Sequence, residues 1–142
     1  MATLVDSRVL LDLLTDDPRW AAWSAAMLEQ AATAGPIGIN DVIDAEISVR
    51  FAVPEALDAF LADAGVARLP MSGPALFLAA RAHARYRARG GTRSGVLADF
   101  CIGAQAAVEG WSLPLLTRDT RRYRSAFPGL DLIAPEGSES SP

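Results

Sequence analysis

The chain of 142 residues contains no lysine, so its basic side chains are thirteen arginines and one histidine, His83. Without lysine there is no Walker-type phosphate ligand, no Schiff base and no lysine general base. An Ala- and Arg-rich composition of this kind is what GC-rich coding gives. The single cysteine, Cys101, excludes an intramolecular disulfide framework and a thiolate metal cage. Hydrophobic residues make up 51% of the chain, yet no apolar run approaches the roughly 20 residues of a transmembrane helix. Met1 leads at once into a strand-like segment, which predicts a chain without a signal peptide and a soluble cytoplasmic protein. The length suits one ordinary domain with a core of its own, over residues 1–135. Residues 136–142 are polar and acidic and read as a disordered tail.

What the sequence does have is four acids in apolar surroundings: Asp6, Glu46, Asp99 and Asp119. Asp6 ends the run Ala2-Thr-Leu-Val5, and Glu46 shares a helical face with Val42 and Val49. Asp99 interrupts Val96-Leu-Ala-Asp-Phe-Cys-Ile-Gly-Ala, and Asp119 follows Leu113-Pro-Leu-Leu-Thr117. An ionised carboxylate in such a setting loses hydration and must be paired, protonated or coordinated to a metal. With no lysine or nearby histidine to match them, metal coordination is the expectation. Asp12, Asp16, Asp17, Asp41 and Asp44 read as helix caps or solvent-exposed charges.

Hydrophobic periodicity orders the chain as alternating short strands and longer helices. Strands are expected at 2–5, 37–39, 66–69, 113–117 and 130–133. Helices are expected after Asp6-Ser7, from Pro18 to Gly35, after Asn40 or Asp41, from Pro54, from about Ser72 to Arg89, and around Asp99. Gly90-Gly-Thr-Arg-Ser-Gly95 reads as the turn leading into that last helix. The fold class is therefore α/β, with a central parallel sheet of about five short strands flanked by helices on both faces. Ligands of open α/β sheets bind beyond the carboxyl ends of the strands. Asp6 and Asp119 fall just after strands, and Asp99 and Glu46 in the early turns of helices, so all four are expected to meet at one edge.

Clustered carboxylates repel one another, and a hard divalent cation such as Mg²⁺ reverses that balance while leaving room for water and phosphate. Such an ion activates water and neutralises a phosphoryl group during in-line displacement. Thr117 could orient a carboxylate with its hydroxyl, and Ser7 reads first as a helix cap. Charge is divided along the chain. Residues 1–63 hold three Arg against eleven acids, whereas residues 64–135 hold ten Arg against four acids. Beside an acidic site, a basic surface of this kind helps to bring in a polyanion. Arg85, Arg89, Arg93, Arg118, Arg121 and Arg122 are the candidate phosphate contacts. His83 and Cys101 read as structural residues, and Trp20, Trp23 and Met27 as a buried helix face or a contact surface.

Four segments, in order, carry a resemblance: Leu4-Val-Asp-Ser7, Asn40 to Glu46, Leu97-Ala-Asp-Phe-Cys-Ile-Gly-Ala104 and Leu115-Leu-Thr-Arg-Asp119. Arg122-Tyr-Arg-Ser-Ala-Phe-Pro-Gly-Leu130 and Leu132-Ile-Ala-Pro135 extend it. From about residue 3 to residue 135 the chain resembles PIN-domain ribonucleases, specifically the VapC-type toxins of bacterial toxin–antitoxin pairs. The resemblance implies a PIN-like α/β/α fold and a metal-dependent endoribonuclease leaving a 5′-phosphate and a 3′-hydroxyl. It implies Mg²⁺ or Mn²⁺ held by Asp6, Glu46, Asp99 and Asp119, with Thr117 as the hydroxyl beside this catalytic quartet. A VapB-like antitoxin and a homodimer are the partners it implies. For an RNA substrate, Arg93, Arg118, Arg121 and Arg122, which lie in the acid-poor stretch or flank Asp119, are the candidate contacts. One departure is Gln105, where many relatives carry His; glutamine does not titrate, so its expected role is structural or auxiliary. Two other classes compete. Phosphoryl transfer through an aspartyl-phosphate on Asp6 lacks the second acid and the lysine that such enzymes use. A catalytically silent module would use the acidic pocket only to dock a basic partner.

Overall fold

The computed structural model describes residues 2–93, 95–109 and 113–135; the tail 136–142 lies outside the described residues, as does the side chain of Arg122. Five short parallel strands form one sheet: β1 (Thr3–Val5), β2 (Ile37–Ile39), β3 (Val66–Arg68), β4 (Leu115–Leu116) and β5 (Leu132–Ile133), in the order β3-β2-β1-β4-β5. Seven helices are found among the described residues: α1 (Ser7–Leu14), α2 (Ala21–Ala34), α3 (Asp41–Ser48), α4 (Pro54–Ala64), α5 (Gly73–Ala88), α6 (Val96–Glu109) and α7 (Arg121–Ala126). The result is the expected α/β/α architecture.

The strand order explains where ligands can enter. From β1 the chain builds outward through β2 and β3, then returns to the other side of β1 to lay down β4 and β5. The crevice between β1 and β4 is thus the topological switch point, beyond whose carboxyl ends open α/β sheets bind ligands. Leu4 pairs with Leu115 and Val5 with Leu116 across it. Asp6 and Thr117 are the next residues on either side.

Local signals set the helix ends. Asn40 caps α3 by accepting the Ile43 amide at 3.0 Å, and Ser72 caps α5 by accepting that of Ala75 at 3.2 Å. Pro54 opens α4, which closes on Gly65 in the left-handed region at φ 69°. Asp6 occupies the capping position of α1, yet its side chain makes no capping bond. Ser7, expected as a cap, is instead the buried first residue of that helix.

Two apolar clusters hold the layers. The larger wraps the sheet and includes Leu4, Val5, Ile39, Ile43, Ile102, Leu115 and Leu116. The smaller joins α5 and α6 to the end of α7 through Ala79, Ala82, Val96, Phe100, Ala104 and Phe127. Alanines on the buried side of α5 let α6 approach closely, so Asp99 in the first turn of α6 is fixed by packing. Helix α7 was not expected as a separate element. Gly103 admits it: a Cβ there would lie 2.6 Å from the Phe127 ring and 3.3 Å from Tyr123. Gly103→Val should therefore destabilise the protein by about 1–3 kcal/mol through overpacking, although valine is the better helix former. Urea unfolding checks this; an unchanged or raised midpoint would mean that α7 does not pack on α6 as described.

Candidate active site

At the carboxyl edge of the sheet Asp6 is 3% exposed. The Thr117 hydroxyl, itself fully buried, donates to Asp6 Oδ2 at 2.7 Å and accepts the Asp119 amide at 3.0 Å. One hydroxyl thus ties the residue after β1 to the loop after β4. Ser7 Oγ lies 3.4 Å from Asp6 Oδ1, a weak contact. Burial is the main influence on Asp6 and raises its pKa above the ordinary carboxylate range. The Thr117 bond and the charge of Arg8 oppose that rise, and the charge of Asp99 adds to it. Glu46, half-buried on α3, is raised for the same first reason, with Ser7 opposing and Asp6 and Asp99 adding. Its Oε1 is buried without a hydrogen-bond partner.

Three of the four expected carboxylates, Asp6, Glu46 and Asp99, therefore sit within one another's electrostatic field. Asp119 joins them indirectly. Its carboxylate is ion-paired with Arg8, whose guanidinium also feels Asp6 and Asp99. Partial burial works against the Arg8 charge, but these acids more than compensate and raise its pKa. The acids, expected to lack a matching lysine or histidine, have an arginine instead: Arg8, two residues after Asp6, is a counter-ion to them. Among the described residues no three His, Cys, Asp or Glu side chains are gathered closely enough to hold a metal as they stand.

Tyr123 on α7 closes the back of the site. It is 2% exposed, and its hydroxyl has no hydrogen-bond partner of proper geometry. Burial first, then the charges of Asp6 and Asp99, push its pKa well above the ordinary value for tyrosine. Neither Arg8 nor Tyr123 was singled out as a site residue from the sequence. The placement of Arg8 on the first turn after Asp6 was the available signal.

Two further expectations are revised. Asp12 is neither a cap nor exposed: it is 3% exposed and accepts the Ser24 hydroxyl at 2.8 Å. Arg118 grips it with both arms, Nε to Oδ2 at 2.9 Å and a terminal nitrogen to Oδ1 at 3.0 Å. The same guanidinium lies 5.0 Å from the centre of the Trp20 ring. Arg118, a candidate RNA contact, is thereby engaged as a clamp between α1 and the loop carrying Thr117 and Asp119. Trp20 is the platform for it, while Trp23 and Met27 pack on the core. Arg93 and Arg121 are exposed. Gln105 is buried on α6 and its amide donates to the Pro70 carbonyl at 3.3 Å, a structural tie. His83 stacks beside Tyr86, with ring centres 6.5 Å apart, and Cys101 lies in the smaller core.

The comparisons with known proteins agree with this fold. The PIN domain family model matches residues 3–128, so the chain belongs to the PIN domain family. Solved structures of the same fold include VapBC2 from Rickettsia felis bound to a DNA fragment from its promoter. That match has 17% identity and a TM-score of 0.70, covering 96% of this chain and 100% of the other. DNA-bound VapBC from Salmonella typhimurium matches at 16% identity and a TM-score of 0.65, covering 94% and 98%. VapBC-5 from Mycobacterium tuberculosis matches at 20% identity and a TM-score of 0.55, covering 94% and 96%. No curated protein sequence is significantly similar to the chain.

Two outcomes follow from the site's electrostatics. Raised folded-state pKa values mean that Asp6 and Glu46 favour folding below their unfolded values, about 3.9 and 4.3, and lose that contribution as pH rises through the folded ones. Asp6→Asn should therefore raise the melting temperature of metal-free protein near neutral pH, and the gain should vanish near pH 4. A gain independent of pH would contradict the charge explanation. Arg118→Ala leaves Asp12 buried without its partner and should cost on the order of 3 kcal/mol in urea unfolding. Lysine at this position cannot reproduce the two-armed grip and should restore only part of the loss. A cost below about 0.5 kcal/mol, the scale of an ordinary surface change, would return Arg118 to the surface.

Proposed function

We propose that this PIN domain is a VapC-type endoribonuclease toxin that cleaves RNA phosphodiester bonds through Asp6, Glu46, Asp99 and Asp119. The observation that carries this reading is the set of mutually repelling carboxylates at the switch point between β1 and β4, with the Arg8 guanidinium beside them. PIN domains generally use divalent metal ions, and the donor set fits one. It is all oxygen, and Glu46 Oε1 is a buried acceptor with no partner, which suits Mg²⁺ or Mn²⁺ rather than a thiolate- or imidazole-seeking metal. Asp6, Glu46, Asp99 and Asp119 would hold the ion after drawing closer together than they stand. When bound, the cation supplies an activated water and neutralises charge on the phosphate.

The chain's own residues do the rest. Thr117 fixes the orientation of the Asp6 carboxylate through its 2.7 Å bond. By accepting the Asp119 amide it also holds the loop that carries the fourth acid. This makes Thr117 a positioning residue. Arg8 offsets the mutual repulsion of the acids through its pair with Asp119 and its attraction to Asp6 and Asp99. The Asp12–Arg118 clamp keeps that loop at a fixed height above β4.

A VapB-like antitoxin, a homodimer and a cytoplasmic location belong to the same proposal. The matched structures include VapBC complexes, and no helix among the described residues is long and apolar enough to cross a membrane. One observation favours the competing reading of a silent docking module: the pocket already accommodates a guanidinium, that of Arg8.

Cleavage separates the two. Asp99→Asn should lose at least about 100-fold in Mn²⁺-dependent cleavage of single-stranded RNA, within the usual cost of removing a charge-stabilising group, with its circular dichroism unchanged. Arg8→Gln should tighten Mn²⁺ binding in calorimetry, because a competing cation is gone. Undiminished cleavage by Asp99→Asn, or cleavage by wild type in excess chelator, would remove the metal-centre mechanism. No cleavage under any divalent ion would favour the docking module.

A further inference from the structure

Beside the acids lies a cavity of about 440 Å³ that shares only Asp119 with the quartet. It opens between the end of α5, the turn before α6 and the face of α7. Arg89, Arg93 and Arg121 line it, Tyr86 and Phe100 contribute aromatic surface, and Asp119 forms the corner shared with the acidic site. The three arginines are exposed and their side chains make no ion pair among the described residues. This contrasts with Arg8, Arg68 and Arg118, each engaged by an aspartate. Three guanidinium groups that make no ion pair among the described residues, against one aspartate on the same concavity, favour an anion there.

The walls are built, not incidental. The Arg93 amide donates to the Tyr86 hydroxyl at 3.0 Å, anchoring the turn to the helix it has just left. Gly91 passes so close to the Tyr86 ring that a Cβ would lie 2.4 Å from it. Tyr86 in turn meets Phe100 edge to face, with ring centres 5.8 Å apart. An aromatic floor beneath arginines is more than inorganic phosphate requires. It matches a ligand that joins an anion to a flat apolar ring, and the volume falls in the usual range for small-molecule sites, about 300–1,000 Å³.

We infer that this cavity is a nucleotide subsite: it takes one unit of a single-stranded RNA, its phosphate among Arg89, Arg93 and Arg121 and its base against Tyr86. The inference rests on the nuclease reading, because Asp119 makes the cavity continuous with the cleavage site. The subsite would set which nucleotide stands next to the bond that is cut. It also resolves how an acidic site receives a polyanion: affinity comes from the cavity, and chemistry from the carboxylates.

The test uses the full chain in EDTA, so that binding is read without cleavage. A fluorescent single-stranded RNA dodecamer is titrated at several salt concentrations against wild type and single variants. Arg93→Gln and Arg121→Gln should each weaken binding by about threefold or more and lower the salt slope by about one unit. Arg50→Gln, the same charge change on a surface away from the cavity, should do neither. Tyr86→Leu should weaken RNA binding by about tenfold, whereas Tyr86→Phe, which keeps the ring, should stay within about threefold of wild type. Tripolyphosphate should compete much more weakly than RNA of equal charge. Equal effects of Arg50→Gln and Arg93→Gln, or equal competition by tripolyphosphate, would overturn the subsite. The two readings fail separately. Cavity-dependent binding without Mn²⁺-dependent cleavage would uphold the subsite and contradict the nuclease, and cleavage with variant-insensitive binding would do the reverse.

Discussion

The burial of the Asp6 carboxylate at the mouth of the central strand is the constraint from which the rest of the site follows. Its place is dictated by the sheet, because β1 is flanked by β2 and β4 and ends where the strand order reverses. A charge there has little water, and one hydroxyl from Thr117 satisfies only part of its hydrogen-bonding capacity. Glu46 and Asp99 then raise the cost of ionisation further. Something positive has to stand nearby. Among the described residues Arg8 is such a group, ion-paired with Asp119. A packed apolar residue at position 6 would remove every one of these tensions, and with them the chemistry.

A protein without lysine assigns all its cationic work to arginine, and the structure divides that work in three. Arg118 uses its planar fork as a brace, matched to both oxygens of buried Asp12 and laid against Trp20. Arg8 is a counter-ion, partly exposed and paired with Asp119. Arg89, Arg93 and Arg121 make no ion pair among the described residues and line a cavity. Residue type is the same throughout; burial and partner decide the role. The charge asymmetry along the chain therefore does not translate into one uniform basic surface.

Much of this was legible before any coordinates. The parallel sheet and the helix starts near Asn40 and Ser72 follow from periodicity, and the positions of Asp6 and Asp119 just after strands follow from acids that end apolar runs. What the sequence hid depends on contacts between distant segments. Asp12 and Arg118 are 106 positions apart, and nothing local distinguishes Asp12 from the exposed Asp16 four residues later. Arg8 could have been noticed, but only the folded geometry carries its guanidinium over to Asp119. Helix α7 was missed because it is six residues long, with arginines where a buried stripe would be sought; the space left by Gly103 admits it. The strands after position 110 were drawn too long, since Leu113 and Leu130 are apolar yet lie outside the ladder.

The most direct measurement on the central claim is a crystal structure of the protein soaked in Mn²⁺, read by anomalous scattering. A metal-centred nuclease should show a peak bound by oxygens of Asp6 and Asp99 at about 2.1–2.2 Å, the distance expected for a hard divalent ion, with Arg8 displaced from Asp119. Arg8 still paired with Asp119 at saturating Mn²⁺, and no anomalous peak among the carboxylates, would contradict it.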